Sequence, residues 1–555
     1  MKKKLIITVF SSLLLCGCTG DMERIQTGTN TEELIYADAA KTRQILNNLY
    51  ARTRLTQGSF SSFSGDGVTF LDCATDNGYA PIEYSSAHTH GKSTMSAGDI
   101  AMNGGHPWTF YYNNIRNATL FMQKVDKSVL SEEEKTSSKL QARFLRALYY
   151  AELYRWYGGV VLLGEETIPS TDLNRTRSSV EATVDYIASE MRDVAAQLPL
   201  EWDAPNYGRA TRGAALAYRA RTLLYAASKF NNPSMERKKW EDAKDALLQV
   251  INLNKYDLYY DTENRALSYA RYFCERKTKE NIYTYLLALN ATMHSNFPQG
   301  APWNQNTYIG CVPTQNLVDA YDMLNGTEPI TGYDSNGKPV INPTSGYDEA
   351  HPYVNRDPRL TMTIFCHGNK YDLNGTSTAL DMTNMDEKSR SSGYTVLKYI
   401  DDRIGHKSTG NTSYNCNPQM LRYAEILLGY AEALNELGDS DNAAKIVNQI
   451  RDRAGVGKIA ETGWTTDKLR ERIYKEYRVE FAFEDNRFFD ARRWAKAQDW
   501  FSKPVYKMVV TGNLATPTYA RALLEERIFL PKCYRFPIPQ KEIDNSENME
   551  QNTGW

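Results

Sequence analysis

Apolar residues recur along much of this chain at the three- and four-residue spacing of an α-helix, and they do so in consecutive pairs of segments. Ala142, Leu145, Tyr149, Leu153 and Trp156 fall on one face, because a turn of about 3.6 residues brings such positions together. Gly158-Gly159 ends that run, as glycine does beyond a helix terminus. Leu216, Ala220, Leu223 and Ala227 repeat the spacing up to Asn231-Asn232-Pro233, and Trp240, Ala243, Leu247 and Val250 follow. Ala424, Leu427, Ala431 and Leu434 stop at Gly438, then Ala443, Ile446, Val447 and Ile450 stop at Gly455. Amphipathic helices joined by short turns must bury their stripes against one another. The spacing therefore predicts a mainly α fold made of helix–turn–helix pairs.

The stretch 423–455, with Leu428-Gly429-Tyr430 followed by Ala443-Ala444, resembles a tetratricopeptide unit, in which small residues let paired helices approach closely. Stretches 141–198 and 213–253 are looser versions. Long insertions separate them, so a regular solenoid is not expected. The charged stretch 474–494 reads as a further helix. Two stretches break the pattern: 59–107, rich in Gly, Ser, Thr, Asn and His, and 254–418, rich in Gly, Asn, Pro and Tyr. Loops of this length inside a compact domain are functional or disordered, and their aromatic content favours function. The expected organisation is an N-terminal helical region over 34–253 and a loop-rich C-terminal region over 254–555, forming one compact unit.

The chain begins with Lys2, Lys3 and Lys4, an apolar run from Leu5 to Leu15, and a small residue, Gly17. This is the layout of a secretory signal peptide over 1–17, too short to span a bilayer, which takes roughly 20 apolar residues. Leu15-Cys16-Gly17-Cys18 resembles the lipobox of bacterial lipoproteins. The resemblance implies cleavage before Cys18, lipidation of Cys18, and a polar tether over 18–33. A net charge of −2 and a pI near 6.4 provide no basic field for nucleic acid. Beyond the leader, Cys73, Cys274, Cys311, Cys366, Cys416 and Cys533 are scattered without a CxxC pair. That spacing argues against a zinc ribbon or a dense disulfide scaffold. One or two isolated disulfides are compatible with export, and the sequence does not pair them.

Glu480 and Glu484 lie one helical turn apart, followed by Arg487 and Asp490. Paired carboxylates can hydrolyse glycosides, but those groups flank the sugar from separate elements. Carboxylates beside Arg478, Arg487 and Arg492 on one helix read instead as ion pairs under a packed face. His88 and His90 form an HxH in a polar loop without further ligands nearby, and read as loop residues and not as a metal site. Asp334-Ser335-Asn336-Gly337 has the start of a calcium loop but not the later ligands, so a glycine turn suffices. No GxSxG, Walker loop or HExxH occurs. The expectation is a protein that is not an enzyme and needs no metal or cofactor.

The chain holds 37 Tyr, 18 Phe and 9 Trp. Flat rings cover the C–H faces of sugars, while Asn, Asp and Arg satisfy the hydroxyls. Trp303 and Asn304, with Tyr308 just after, combine both kinds of group behind Pro302. Asp76, Asn77, Tyr79 and Tyr84 are candidate rim contacts in the first irregular region. Trp108 is a further candidate, although Tyr111, Tyr112 and Ile115 give its surroundings the spacing of a core helix.

Several segments together resemble the SusD/RagB outer-membrane lipoproteins of Bacteroidetes. They are Ala142-Arg143-Phe144-Leu145-Arg146-Ala147 running into Leu153-Tyr154-Arg155-Trp156-Tyr157-Gly158-Gly159-Val160, then Gly208-Arg209-Ala210-Thr211-Arg212-Gly213. Pro313-Thr314-Gln315-Asn316-Leu317-Val318-Asp319 and Arg422-Tyr423-Ala424-Glu425 follow, then Lys475-Glu476-Tyr477-Arg478 to Glu484, Arg487-Phe488-Phe489-Asp490 and the terminal Asn552-Thr553-Gly554-Trp555. The resemblance spans nearly the whole mature chain. Asp485-Asn486 and the terminal Trp depart slightly from the family pattern. The resemblance implies tetratricopeptide-like helix pairs with an irregular cap. It also implies an outer-membrane lipoprotein that faces the cell exterior, binds oligosaccharides or polysaccharides, and delivers them to a SusC-like TonB-dependent barrel that it lids. The alternatives are peptide uptake, as in RagB-like members, and a lipid-anchored helical-repeat scaffold for other proteins.

Overall fold

The computed structural model describes residues 32–53, 71–81, 85–100, 106–164, 167, 174–286, 310–335, 337–373, 376–385, 387, 390–403 and 417–555. Cys18 and the leader, Tyr84, Trp303, Asn304, Tyr308 and Cys416 lie outside the described residues.

Ten helices carry the architecture: α1 (Ala39–Tyr50), α2 (Pro107–Lys124), α3 (Glu132–Tyr157), α4 (Val180–Ala195), α5 (Arg212–Ala227), α6 (Arg237–Ile251), α7 (Tyr423–Glu436), α8 (Ser440–Ala454), α9 (Thr466–Glu480) and α10 (Asn486–Arg493). Local chemistry sets their ends. Ser131 caps α3 by accepting from the Glu134 amide, and Thr211 caps α5 by accepting from the Ala214 amide. Each cap satisfies one of the four amides that a helix start leaves unpaired. Gly455, at φ 74°, closes α8 in the left-handed conformation that favours glycine.

From α2 to α8 each helix packs on the next. The predicted stripes are the buried faces: Trp240, Ala243, Leu247 and Val250 on α6, and Ala443, Val447 and Ile450 on α8. Burying one large aliphatic side chain is worth about 1.5–3 kcal/mol, so such stripes hold the row together. The insertion does not interrupt it. Helix α6 ends at Ile251 and α7 begins at Tyr423, yet the two are packed neighbours. Gly429 makes that closeness available, since a Cβ there would come within 3.0 Å of a Leu224 methyl and 3.2 Å of a Leu247 methyl.

The insertion contains short helices and small two-stranded antiparallel ladders. The strands that matter for the site are β1 (Gly78–Tyr79), β2 (Asn281–Thr284), β3 (Val312–Pro313) and β4 (Gln419–Arg422). β1 pairs with β3, and β2 with β4.

The stretch 474–494 is not one helix. Helix α9 stops at Glu480, Phe483 and Asp485 take φ values of 61° and 67°, and α10 starts at Asn486. The freed carbonyls are taken up by tertiary donors. Lys398 Nζ donates to Ala482 O at 2.8 Å, Tyr399 Oη to Phe483 O at 2.7 Å, and Tyr269 Oη to Glu480 O at 3.0 Å. Those donors come from the insertion, so periodicity within 474–494 does not reveal the break.

Beneath this turn lies a buried ionic network. Glu480 accepts from Arg359 at 2.9 Å, from Arg422 at 2.8 Å, and from Arg453. Glu476 binds Arg359 at 2.7 Å and Arg451 at 2.9 Å, and Glu280 binds Arg422 at 2.8 Å and Arg453 at 3.0 Å. Burial raises the Glu480 pKa, but the three guanidiniums outweigh it and hold the carboxyl below the ordinary range. Glu484 binds Lys398 at 2.7 Å and Arg422 at 2.8 Å, while Asp490 and Glu432 share Arg493. Four acidic groups of this segment, Glu476, Glu480, Glu484 and Asp490, are thus engaged with arginine or lysine, while Asp485 accepts from the Leu71 amide at 2.6 Å. Cys73, Cys274, Cys311, Cys366 and Cys533 are buried, and no disulfide joins any two of these described cysteines.

Candidate functional site

The two irregular regions meet. The first enters its described part at Leu71 and the second resumes at Gly310. There β1 and β3 pair with Gly78 opposite Pro313 and Tyr79 opposite Val312. The Thr314 amide and hydroxyl donate to Asn77 O at 3.0 Å and Asp76 O at 2.7 Å. Tyr285 of the second region also holds the end of α1, its Oη donating to Ala51 O at 3.1 Å, while its amide donates to Pro418 O at 3.0 Å. Segments about 230 residues apart in sequence therefore share anchors.

The candidate residues divide into several environments. Asp76 lies at the wall of a cleft next to β1 and accepts both guanidinium hydrogen bonds of Arg487, each at 3.0 Å, with Arg478 at 3.0 Å. Burial raises its pKa, but Arg478 and Arg487 bring it below the ordinary value. Asn77 is fully buried and bonded to Asp72 and to Arg478, so its assignment as a rim contact is corrected. Tyr79 is half-buried, with its ring edge-on to His88 at 5.4 Å. Trp108 is 3% exposed and packs edge-on against Tyr157 at 5.2 Å and tilted against Tyr112 at 4.7 Å. Its helix, α2, turns that face toward α3, so Trp108 is a core residue and its assignment as a ligand contact is corrected too.

His88 and His90 have separate surroundings. His88 Nδ1 lies 3.0 Å from Glu525, while His90 stacks on Phe536 at 5.3 Å. Asp334 and Gly337 form the turn of a hairpin whose strands are Ile330–Tyr333 and Pro339–Ile341, with the Lys338 amide donating to Asp334 Oδ1 at 2.9 Å.

The cleft beside Asp76 has a volume of about 370 Å³. Three aromatic rings border it, Tyr333, Tyr474 and Trp500. Tyr333 is exposed and stacks on Tyr506 at 5.4 Å. Trp500, on the short helix Ala497–Phe501, is half-buried. Arg487 covers one face of the indole at 4.0 Å, and Tyr474 and Trp494 meet it nearly edge-on at 6.1 and 6.0 Å. The lining carries four carboxylates and four cations, so its formal charge is balanced. Half-exposed rings amid fixed donors and acceptors can hold a hydroxyl-rich ligand. Sequence reasoning missed Trp500 and Tyr333. The available signal was a tryptophan just after the mostly polar run Lys496-Ala497-Gln498-Asp499, with Ala497 alone as an apolar residue at helical spacing before it.

A family model described as the SusD family matches residues 270–555, more than half of the chain. The chain belongs to the SusD family. A second family model, described as starch-binding associating with outer membrane, matches residues 30–224 of this SusD-family protein. A SusD-like protein of Formosa agariphila is 20% identical over 98% of this chain and 96% of its own length. A crystal structure of a SusD-like protein from Bacteroides fragilis matches with a TM-score of 0.78 at 26% identity, covering 95% of this chain and 99% of its own. A SusD-like carbohydrate-binding protein from the same species has a TM-score of 0.69 at 23% identity, over 93% of this chain and all of its own. The helix pairs and the irregular insertion therefore form a SusD-like, mainly α architecture. Among the described residues no helix is long and apolar enough to cross a membrane.

Proposed function

We propose that this protein is a non-catalytic glycan-binding lipoprotein of the outer membrane that faces the cell exterior and hands oligosaccharides to a TonB-dependent barrel. The observation that supports the reading most is the junction of the two irregular regions at β1 and β3, beside a charge-balanced cleft bordered by Trp500 and Tyr333. A carbohydrate-binding relative of the same fold and a family model naming starch and the outer membrane point the same way. Trp303, Asn304 and Tyr308, which precede Gly310 in the sequence, remain proposed ligand contacts alongside the cleft.

Helices α9 and α10 line one side of the cleft, α9 packs on α7 and α8 at the end of the row, and the ionic network holds the turn between α9 and α10. Shallow binding by rings and exchangeable hydrogen bonds permits release, which a relay to a transporter needs. A glycan and peptide array with the purified protein tests the class of cargo, and binding to peptides but to no glycan would overturn the proposal. With a glycan in hand, calorimetry on Trp500→Ala, at a temperature where the variant is folded, is expected to show a loss of about 1–3 kcal/mol of affinity, the scale of one base stacked on an aromatic side chain. Wild-type affinity in that variant would move the site elsewhere.

The anchor has its own test. Acylation at two positions gives firm membrane attachment, whereas one chain gives marginal binding. Cys18→Ala is expected to leave a folded protein in the soluble fraction. Full retention of that variant in outer membranes would refute lipidation at Cys18. A tag on the wild-type protein should also co-purify a β-barrel from gently solubilised membranes.

A further inference from the structure

Two joined cavities lie away from that cleft. The larger, about 540 Å³, is formed by the connection between α4 and α5, the residues after α6, and strand β2. The smaller, about 350 Å³, reaches to Asn47 and Tyr50 of α1 and shares the wall Tyr207-Gly208-Arg209. Gly208 has φ 92°, and a Cβ there would lie 2.3 Å from a Leu286 methyl, so this wall requires glycine.

Charge separates this place from the cleft. The larger cavity has four cationic side chains, Arg209, Lys255, Lys277 and Lys279, against one carboxylate, Glu201. Lys255 and Lys277 both bind Glu201, the latter at 3.0 Å. Hydrogen bonds from these two lysines pull its pKa down to about 2, so one anion is shared between two cations. Lys279 makes no ion pair among the described residues. Arg209 is half-buried and is held by three uncharged oxygens: Asn206 Oδ1 at 2.8 Å, Gln141 Oε1 at 3.2 Å and Asn47 Oδ1 at 3.1 Å. Glu134, the acid within its field, is already bound to Arg43. A fixed guanidinium whose charge is not neutralised suits a carboxylate or sulfate, and a partly desolvated cation attracts an anion more strongly than one in water. Next to it Trp202 is half-buried, and its Nε1 donates to Ala210 O at 2.7 Å, which sets the orientation of the ring.

We infer that the joined cavities are a second saccharide site, selective for an acidic sugar whose carboxylate or sulfate binds at Arg209 and the neighbouring lysines while Trp202 takes the sugar face. The site stands apart from the balanced cleft and gives the protein two classes of sugar contact.

The test is calorimetry on the full chain with an oligogalacturonate, a sulfated oligosaccharide, a neutral oligosaccharide of equal length, and inorganic sulfate. The expected results are tighter binding of one or both acidic oligomers than of the neutral one, and a loss of that affinity as salt rises. Lys279→Glu, at an exposed side chain, should weaken acidic binding at least tenfold without moving the melting temperature. Arg209→Gln should do the same, with Lys279→Glu deciding if Arg209→Gln fails to fold. Trp500→Ala should leave acidic binding intact. Equal binding of neutral and acidic oligomers, no effect of Lys279→Glu, or sulfate binding as tightly as the oligomers would overturn the inference. Loss of acidic binding in Trp500→Ala would overturn it as well, by placing the acidic sugar in the first cleft. If neutral glycans fail to bind while acidic binding responds to Lys279→Glu, the first cleft is misassigned and the second site stands.

Discussion

Glu480→Ala is expected to remove about 3–5 kcal/mol of stability, the cost of leaving buried charges without their partner. Its two carboxylate oxygens serve Arg359, Arg422 and Arg453, and all four side chains are at most 1% exposed. With Glu480 gone, Arg359 keeps Asp357 and Glu476, Arg422 keeps Glu280 and Glu484, and Arg453 keeps only Glu280, so the cluster is left with one uncompensated positive charge, and the freed volume is too polar to collapse onto apolar neighbours. For a protein whose whole stability is of the order of 5–15 kcal/mol, the loss should appear as a large drop in denaturant midpoint or as failure to accumulate. Glu484→Ala should also destabilise, because it leaves the buried Lys398 without its carboxylate, whereas Arg422 keeps Glu280 and Glu480. A Glu480→Ala protein with the wild-type midpoint would show that the network does not hold the fold.

Asp72→Asn should change stability in a pH-dependent way, gaining on the wild type as the pH rises. Asp72 is fully buried in the segment that leads to β1, bonded to Asn77 at 2.9 Å and to the Asp485 amide at 3.2 Å. Burial, and then the neighbouring Asp485 carboxylate, push its pKa from 3.8 to about 7, against smaller lowering effects from Asn77 and Lys398. The folded state thus holds this proton more tightly than the unfolded chain. The stability drawn from it is complete below about pH 4 and drains away as the pH rises to about 7. At 1.36 kcal/mol per pKa unit, the shift corresponds to about 4 kcal/mol at most. The amide cannot ionise, so Asp72→Asn should gain on the wild type as the pH rises across this window, offsetting the constant cost of an NH2 placed opposite the Asn77 amide or the Asp485 N–H. Chemical denaturation of both proteins at pH 4 and pH 8 reads the difference directly. A constant difference at the two pH values would show that Asp72 ionises normally in the fold.

Much of the helical row could be read from spacing alone. The stripes on α6, α7 and α8 need only local periodicity, and their stops at Gly438 and Gly455 need only the conformational freedom of glycine. The reading of Glu480 and Glu484 as ion-paired was equally accessible, since carboxylates amid arginines on one segment seldom stay free. Which arginines they meet was not: Arg359 and Arg422 come from the insertion, more than 50 residues away. Asn77 was chosen by residue type in polar surroundings and Trp108 by residue type despite neighbours at core-helix spacing, and the fold turned both inward, Trp108 against Tyr157 and Asn77 against Arg478.

The sequence by itself determined where helices form, which faces they bury and where they stop, because these depend on contacts within a turn or two of the chain. It also carried the family pattern, and with it the architecture. Tertiary structure decided that the row continues from α6 to α7 across the insertion, that 474–494 breaks at 481–485, and that β1 meets β3 beside Trp500 and Tyr333. Each of these rests on groups distant in sequence. Lysine and tyrosine donors reach freed carbonyls, Gly429 admits leucines from two other helices, and carboxylates collect arginines from several elements. Periodicity records which side of a helix is apolar. It does not record what arrives to cover it.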